Sequence, residues 1–318
     1  MSAAADASPS GRAGKRLLRW GIGLAAVALG GFLLYRTLAG YSLDDLVASV
    51  TGLPGPRLAG AAGFAAASYL ALTVFDFLAL GYAGRPLPYR QAALASFCSL
   101  SLGHNIGFAG LSSGAIRYRF YARWGLDTEA VAKVVLFCGV TVGLGLSMLA
   151  GIGLALDPTL ATDLAGLSTG VVYAIAALCC LVPLAYIGLA ARLRQPLRIR
   201  SWSFAMPSAR RAAAQVAVGT VNFALVAACL HQVLQAVAEP SYADTVSAYV
   251  TANVATLVTH VPGGAGVIET VIQHMLPGAR LIGALIAFRA IYFLAPLAIG
   301  SLVFAVAELV FRGRSAQR

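Results

Sequence analysis

Charge is what this sequence lacks most. Only 11% of its 318 residues are charged, and acids are the scarcer sign, 12 against 23 lysines and arginines. Soluble domains carry roughly 25% charged residues. With 59% apolar residues and a mean hydropathy of +0.80, the chain cannot cover a water-facing surface of ordinary size. That excludes a soluble enzyme, a disordered tail and a nucleic-acid binder. The five cysteines (Cys98, Cys138, Cys179, Cys180, Cys229) lie in apolar stretches without a C-x-x-C pair, so neither a disulfide framework nor a metal cluster is signalled. No metal-ligand spacing joins His104, His260 and His274, which read as polar lining or hydrogen-bonded groups. No Walker A pattern or dinucleotide glycine fingerprint occurs. No cofactor is expected, and transport, if any, is not powered by ATP bound to this chain.

Long apolar runs are what the sequence has instead. Lys15, Arg16 and Arg19 lead into the run from Trp20 to Leu34, which resembles a signal peptide but lacks an A-x-A site, so it reads as an uncleaved first span. Further runs long enough for the ~30 Å hydrocarbon core occupy about 58–83, 131–156, 168–190, 213–237 and 281–311. The expectation is six full spans. Two more apolar segments, 91–123 and 245–279, are broken midway by glycines and polar groups, at Gly103-His104-Asn105-Ile106-Gly107, at Gly110-Leu111-Ser112-Ser113-Gly114 and at His260-Val261-Pro262-Gly263-Gly264-Ala265-Gly266.

The positive-inside rule decides how these two segments run. If both fold back as re-entrant hairpins, 19 of the 23 basic residues face the cytoplasm: Arg12, Lys15, Arg16, Arg19, Arg85, Arg90, Arg117, Arg119, Arg123, Lys133, Arg192, Arg194, Arg198, Arg200, Arg210, Arg211, Arg312, Arg314 and Arg318. Arg36, Arg57 and Arg280 are then the external cations, and Asp44, Asp45, Asp157, Asp163, Glu239 and Asp244 fall outside with them. A full crossing at 91–111 would instead export the 117–133 cluster and the arginines of 192–211. The fold class expected is therefore an all-α polytopic membrane protein of two inverted repeats, with both termini cytoplasmic. The chain divides into a basic N-terminus (1–19), a first repeat (20–190), a basic cytoplasmic loop (191–212), the remainder of a second repeat that begins near 168 (213–311) and a tail (312–318).

At an offset of 152 residues Gly114 meets Gly266, Ile116 meets Ile268 and Arg117 meets Glu269. Inverted repeats with interrupted helices at the midplane are a common transporter plan. Non-helical backbone at membrane depth needs protein or a water-filled cavity around it, so the tips (Gly110, Ser113, Gly114; Pro262, Gly263, Gly264, Gly266) should meet at an internal polar site. Helices beginning near Gly114 and Gly266 would aim free N–H groups at an anionic headgroup. Arg117 in such a first turn opposes the helix dipole and calls for an anion; Glu269 suits its dipole but costs ~2.5–3.5 kcal/mol if alone at depth. The expectation is an Arg117–Glu269 bridge that substrate opens, set against a plain reading in which Arg117 fixes orientation and Glu269 starts a helix. Asp76 and Arg289, ionisable groups inside spans, are further candidates. Gly139-Val140-Thr141-Val142-Gly143 reads as a tight packing face. A G-x-S-x-G match at Gly110–Gly114 admits a rival, an intramembrane serine hydrolase using Ser112 or Ser113; a scaffold recruiting partners through the 192–211 loop is another.

The stretch from Asn105 through Gly110-Leu111-Ser112-Ser113-Gly114-Ala115-Ile116-Arg117-Tyr118-Arg119 to Tyr121 resembles the transmembrane region of bacterial lysylphosphatidylglycerol synthases, the multiple peptide resistance factor family. Asp76-Phe77-Leu78-Ala79-Leu80, Gly84-Arg85-Pro86-Leu87-Pro88, Val261 to Glu269 and Phe288-Arg289-Ala290-Ile291-Tyr292-Phe293 agree in order, and the resemblance runs from about 20 to 311. It implies a lipid flippase module of the inner membrane that moves a phospholipid, such as aminoacylated phosphatidylglycerol, or another lipid-linked substrate between leaflets. Full-length relatives add a soluble synthase domain; this sequence stops at Arg318, so no synthase activity is expected. Arg117 and Arg119 would hold phosphate, Glu269 and Asp76 a cationic headgroup or the arginines, with Arg289, Asn105 and Tyr118 in the same headgroup site. The expected partners are membrane lipids, no nucleic acid, and as further candidates a separate synthase or a second copy of the chain.

Overall fold

A computed structural model describes residues 43–106, 109–193, 197–199, 202–259, 261, 264–276 and 281–316. The first apolar run (20–34), the N- and C-terminal residues 1–42 and 317–318, and the tip residues Pro262 and Gly263 lie outside these. The chain is an all-α polytopic membrane protein. Among the described residues five segments are long and apolar enough to cross a bilayer: α2 (Gly55–Tyr82), α5 (Thr128–Leu156), α7 (Thr169–Arg192), α8 (Ala209–Leu234), and Leu281–Phe311, which comprises α11 (Leu281–Arg289), a π-helical turn (Ala290–Leu294) and most of α12 (Ala295–Ala316). Each begins and ends within a few residues of an expected run. At about 1.5 Å per residue the 28 residues of α2 exceed a ~30 Å core comfortably.

The two broken segments form helical hairpins: α3 (Tyr89–Ile106) with α4 (Ala109–Arg123), and α9 (Tyr242–Thr259) with α10 (Val267–Met275). Short helices α1 (Leu43–Thr51) and α6 (Thr159–Ala165) flank the spans. The basic loop carries a small antiparallel β-hairpin, Leu197–Ile199 with Trp202–Phe204, which composition did not reveal. Moved along by the 152-residue offset, α2 falls on α8, α3 on α9 and α5 on α11 to within about two residues at their starts, the ordinary margin at a helix end.

Side chains cap several of the starts. The Asp127 carboxylate accepts from the Ala130 N–H at 2.8 Å, and Pro56 sits in the first turn of α2, where its missing donor costs nothing. Packing centres on α2 and α8, with α5 against α7 and α8. A methyl on Gly145 would lie 2.3 Å from the Gly219 carbonyl carbon, so these two glycines let α5 and α8 touch backbone to backbone.

The open ends of the two hairpins lie at opposite ends of the bundle. At one end Arg85 approaches Asp127 at 3.7 Å, the Tyr82 hydroxyl donates to the Ala205 carbonyl, and Arg123 at the end of α4 meets Glu308 of α12. At the other, Arg57 donates to Gln232 and Gly153 lies against Val246 at the start of α9. The first end carries Arg85, Arg90, Lys133, Arg210 and Arg211; the second carries Asp157, Asp163, Glu239 and Asp244. There the Asp157 carboxyl is held below the usual carboxylate range by the Thr159 hydroxyl and N–H that donate to it.

Candidate functional site

The first hairpin turns earlier than expected. Helix α4 begins at Ala109, so Gly110, Ser113 and Gly114 lie in its opening turns and are not the tip. Glycine lowers helix stability by only about 1 kcal/mol, too little to break a segment held on two sides. Here the small residues serve contact: a methyl on Gly103 would lie 2.8 Å from Ser113 Cβ. The second hairpin follows expectation. Gly264 and Gly266 both have left-handed backbone (φ +61° and +80°), and α10 begins at Val267. Glu269 sits in its first turn and accepts from the Gly266 N–H at 2.9 Å.

The earlier start of α4 separates the two charges that the repeat alignment paired. Arg117 is in the third turn of α4, facing α2, and does not bridge Glu269. It grips Asp76 with both Nε and Nη2 at 2.8 Å, and its Nη1 donates to Ser113 Oγ at 2.9 Å. The Tyr121 hydroxyl adds a donor to Asp76 at 2.6 Å, while Cys138 Sγ lies 3.9 Å from the other oxygen. Arg117 and Tyr121, at i and i+4, thus present one face of α4 to one carboxylate, with Ser113 one turn earlier bound to the Arg117 guanidinium. Asp76 is wholly buried and Arg117 nearly so.

Glu269 takes Arg289 instead, a guanidinium that donates through Nε and, at 2.8 Å, through Nη2. Arg289 Nη2 also donates to the Gly264 carbonyl at 2.8 Å, and its carbon lies 5.6 Å from the Phe293 ring centre. Each hairpin is therefore fastened to a neighbouring span by one Arg–carboxylate pair, buried in the first and partly buried in the second, with the signs exchanged between the two hairpins. A third cluster, missed by the sequence reading, joins the hairpin to the last span: Arg119 and Arg123 both bind Glu308 at 2.7 Å. Its signal was present, since Glu308 is an acid within an apolar run, the criterion that singled out Asp76. Arg119 is thus engaged away from the centre. Tyr118 is exposed, and the Asn105 amide donates back to the Ser101 carbonyl at 3.0 Å.

Both hairpins line one central cavity of about 600 Å³. Ser113 and Arg117 come from the first; Val261, Gly264 and Ile268 from the second. Among the expected headgroup residues Arg117 reaches this space, whereas Asp76, Glu269, Arg289, Arg119, Asn105 and Tyr118 are not part of its wall. Polar residues not singled out beforehand complete it: Asn222 and Asn253, with Tyr249 and Tyr292. The Tyr292 hydroxyl, on the π-helical turn, meets Ser68 Oγ at 3.0 Å, and Ser68 donates to Asn222 at 2.8 Å, tying three spans together at the cavity edge. His104 lines the same space. The Gly139–Gly143 face was expected to pack a neighbouring helix; it opens into the cavity instead, since a methyl on either glycine would meet nothing within 4 Å.

No protein-family model matches the chain. Two curated relatives do. The chain is 30% identical over 274 residues, 85% of each chain, to "Uncharacterized protein slr0712" of Synechocystis sp.. It is 27% identical, over 94% of each chain, to "Inner membrane protein YbhN" of Escherichia coli. At that identity and coverage, and with the polytopic helical architecture described above, the chain belongs to the same protein family as the Synechocystis protein slr0712.

Proposed function

We propose that this protein exchanges a phospholipid between the leaflets of the bacterial inner membrane, with both hairpins entering as re-entrant elements of two inverted repeats and both termini in the cytoplasm. The observation that carries the reading is the shared cavity: two hairpins from opposite ends, each fastened by an Arg–carboxylate pair, lining one space with Arg117 at its wall. The inner-membrane name of the E. coli relative and the resemblance to the lysylphosphatidylglycerol synthase transmembrane region support it.

The Asp76–Arg117 pair suits a headgroup that carries both signs. Breaking a buried pair by drawing off one partner strands the other charge, at a cost of about 3–5 kcal/mol. Arg117 lines the cavity and Asp76 does not, so a phosphate would reach Arg117 first and an ammonium reach Asp76 only as the pair parts; a headgroup with both signs then leaves no charge unmatched. Aminoacylated phosphatidylglycerol has this chemistry. The protein then needs no chemical step of its own: it lowers the barrier to a polar headgroup crossing apolar space, and Arg119 with Arg123 and Glu308 holds the hairpin to the last span.

Leaflet exchange in proteoliposomes, with fluorescent lysylphosphatidylglycerol and a membrane-impermeant quencher, tests this. Wild-type protein should exceed empty vesicles, and Arg117→Ala or Asp76→Asn should slow exchange by about tenfold or more, the equivalent of ~1.4 kcal/mol on the barrier. Wild-type exchange equal to that of empty vesicles removes the reading.

A further inference from the structure

One wall of the central cavity has a shape that headgroup chemistry does not call for. Along α5, Val135, Cys138, Gly139, Val142, Gly143 and Leu146 follow at helical spacing on a single face, over about 17 Å. Gly139 and Gly143 leave open space beside them, in contrast to Gly145 and Gly151, which the neighbouring helices fill. The result is an apolar trough. Leu72, Phe75, Phe223 and Phe293 close it from α2, α8 and the π-helical turn. Near the tip of the first hairpin the lining turns polar: His104 Nδ1 is buried with no hydrogen-bond partner among the described residues, and Asn222 and Asn253 stand on the same wall system. A buried imidazole nitrogen without a partner is a vacancy for one. A cavity of about 600 Å³ is also of the size, roughly 300–1,000 Å³, that holds a whole small ligand or a large part of one.

We propose that this trough takes one acyl chain of the transported lipid, laid along Gly139 and Gly143, with the ester carbonyl of that chain hydrogen-bonded to His104. The proposal rests on the phospholipid reading above and adds where the tail goes: inside the protein beside the headgroup, not left in the bilayer. Since lipid tails are already in apolar surroundings, moving one into the trough brings little hydrophobic gain. The trough therefore acts through fit, and adding bulk to its floor should evict the chain without unfolding the protein.

The test uses the full chain in vesicles of phosphatidylethanolamine and phosphatidylglycerol, with phosphatidylglycerol bearing a diazirine midway along one acyl chain as probe. After illumination, adducts should map to α5 between Val135 and Leu146. Gly139→Leu and Gly143→Leu should lose those adducts about tenfold and slow exchange in proportion, ~1.4 kcal/mol, with thermal unfolding unchanged. His104→Phe should weaken the adducts while leaving their position the same. Adducts confined to lipid-facing Leu178, Leu181 and Leu184 of α7, with both glycine variants exchanging at the wild-type rate, would show the tail staying in the bilayer and overturn the proposal while leaving transport intact. Adducts on α5 in a protein that exchanges no lipid would instead overturn transport and keep the tail site. The crosslinking arm needs only the unmodified protein, so a variant that fails to fold does not blunt it.

Discussion

At the scale of single residues, the two fastening pairs are not equal. The Asp76 carboxylate is fully buried and receives two arginine N–H groups and the Tyr121 hydroxyl, whereas the Glu269 side chain keeps 15% of its surface exposed. Asp76→Asn should therefore lower stability by about 3–5 kcal/mol, because it leaves the buried Arg117 without its carboxylate. Glu269→Gln should lower it by about 1–3 kcal/mol, since Arg289 retains the Gly264 carbonyl and the Phe293 face, and glutamine still caps α10. Thermal unfolding in detergent checks the order. The double variant Asp76→Leu/Arg117→Leu should be more stable than Asp76→Asn alone, because it removes both charges together. All four pair-forming residues were legible in the sequence, since an ionisable group in an apolar run stands out. Their pairing was not. Which way Arg117 faces depends on where α4 begins, and a start at Ala109 in place of Gly114 turns it toward α2.

At the scale of elements, glycines do two opposite jobs on one helix. Gly145 lies two residues beyond Gly143, a rotation of about 200°, so the faces are nearly opposed. Gly145 meets Gly219; Gly139 and Gly143 meet open space. Gly145→Ala should then cost at least about 1–3 kcal/mol, because a methyl 2.3 Å from backbone cannot be relieved by a side-chain rotation. Gly139→Ala, with open space beside it, should be neutral or stabilising by up to about 1 kcal/mol. Comparing the fraction of each variant that elutes as folded protein, and its unfolding temperature, separates the two. The span positions were legible because five runs exceeded the bilayer thickness, and the hairpins because glycine and polar groups interrupted two more. The job of each glycine was not, since a G-x-x-x-G spacing shows that a face is small without showing what stands opposite it.

At the scale of the whole molecule, basic residues outnumber acids at one end of the bundle and acids outnumber basic residues at the other, and the positive-inside rule turns that imbalance into an expected orientation. The end bearing Arg85, Arg90, Lys133, Arg210 and Arg211 holds the mouth of the α3–α4 hairpin; the end bearing Asp157, Asp163, Glu239 and Asp244 holds the mouth of the α9–α10 hairpin. Basic residues beside spans are retained in the cytoplasm, so the first hairpin should open inward and the second outward. Single cysteines at exposed Arg90, Ser208, Asp163 and Ser241, in a chain whose five native cysteines are replaced, read this directly. In intact cells a membrane-impermeant maleimide should label Asp163→Cys and Ser241→Cys, while Arg90→Cys and Ser208→Cys should react only after permeabilisation. Arg90 and Ser241 matter most, because they stand at the starts of the two hairpins. Labelling of both from the same side would mean that the hairpins enter together, and a cavity lined from one face cannot hand a headgroup from one leaflet to the other.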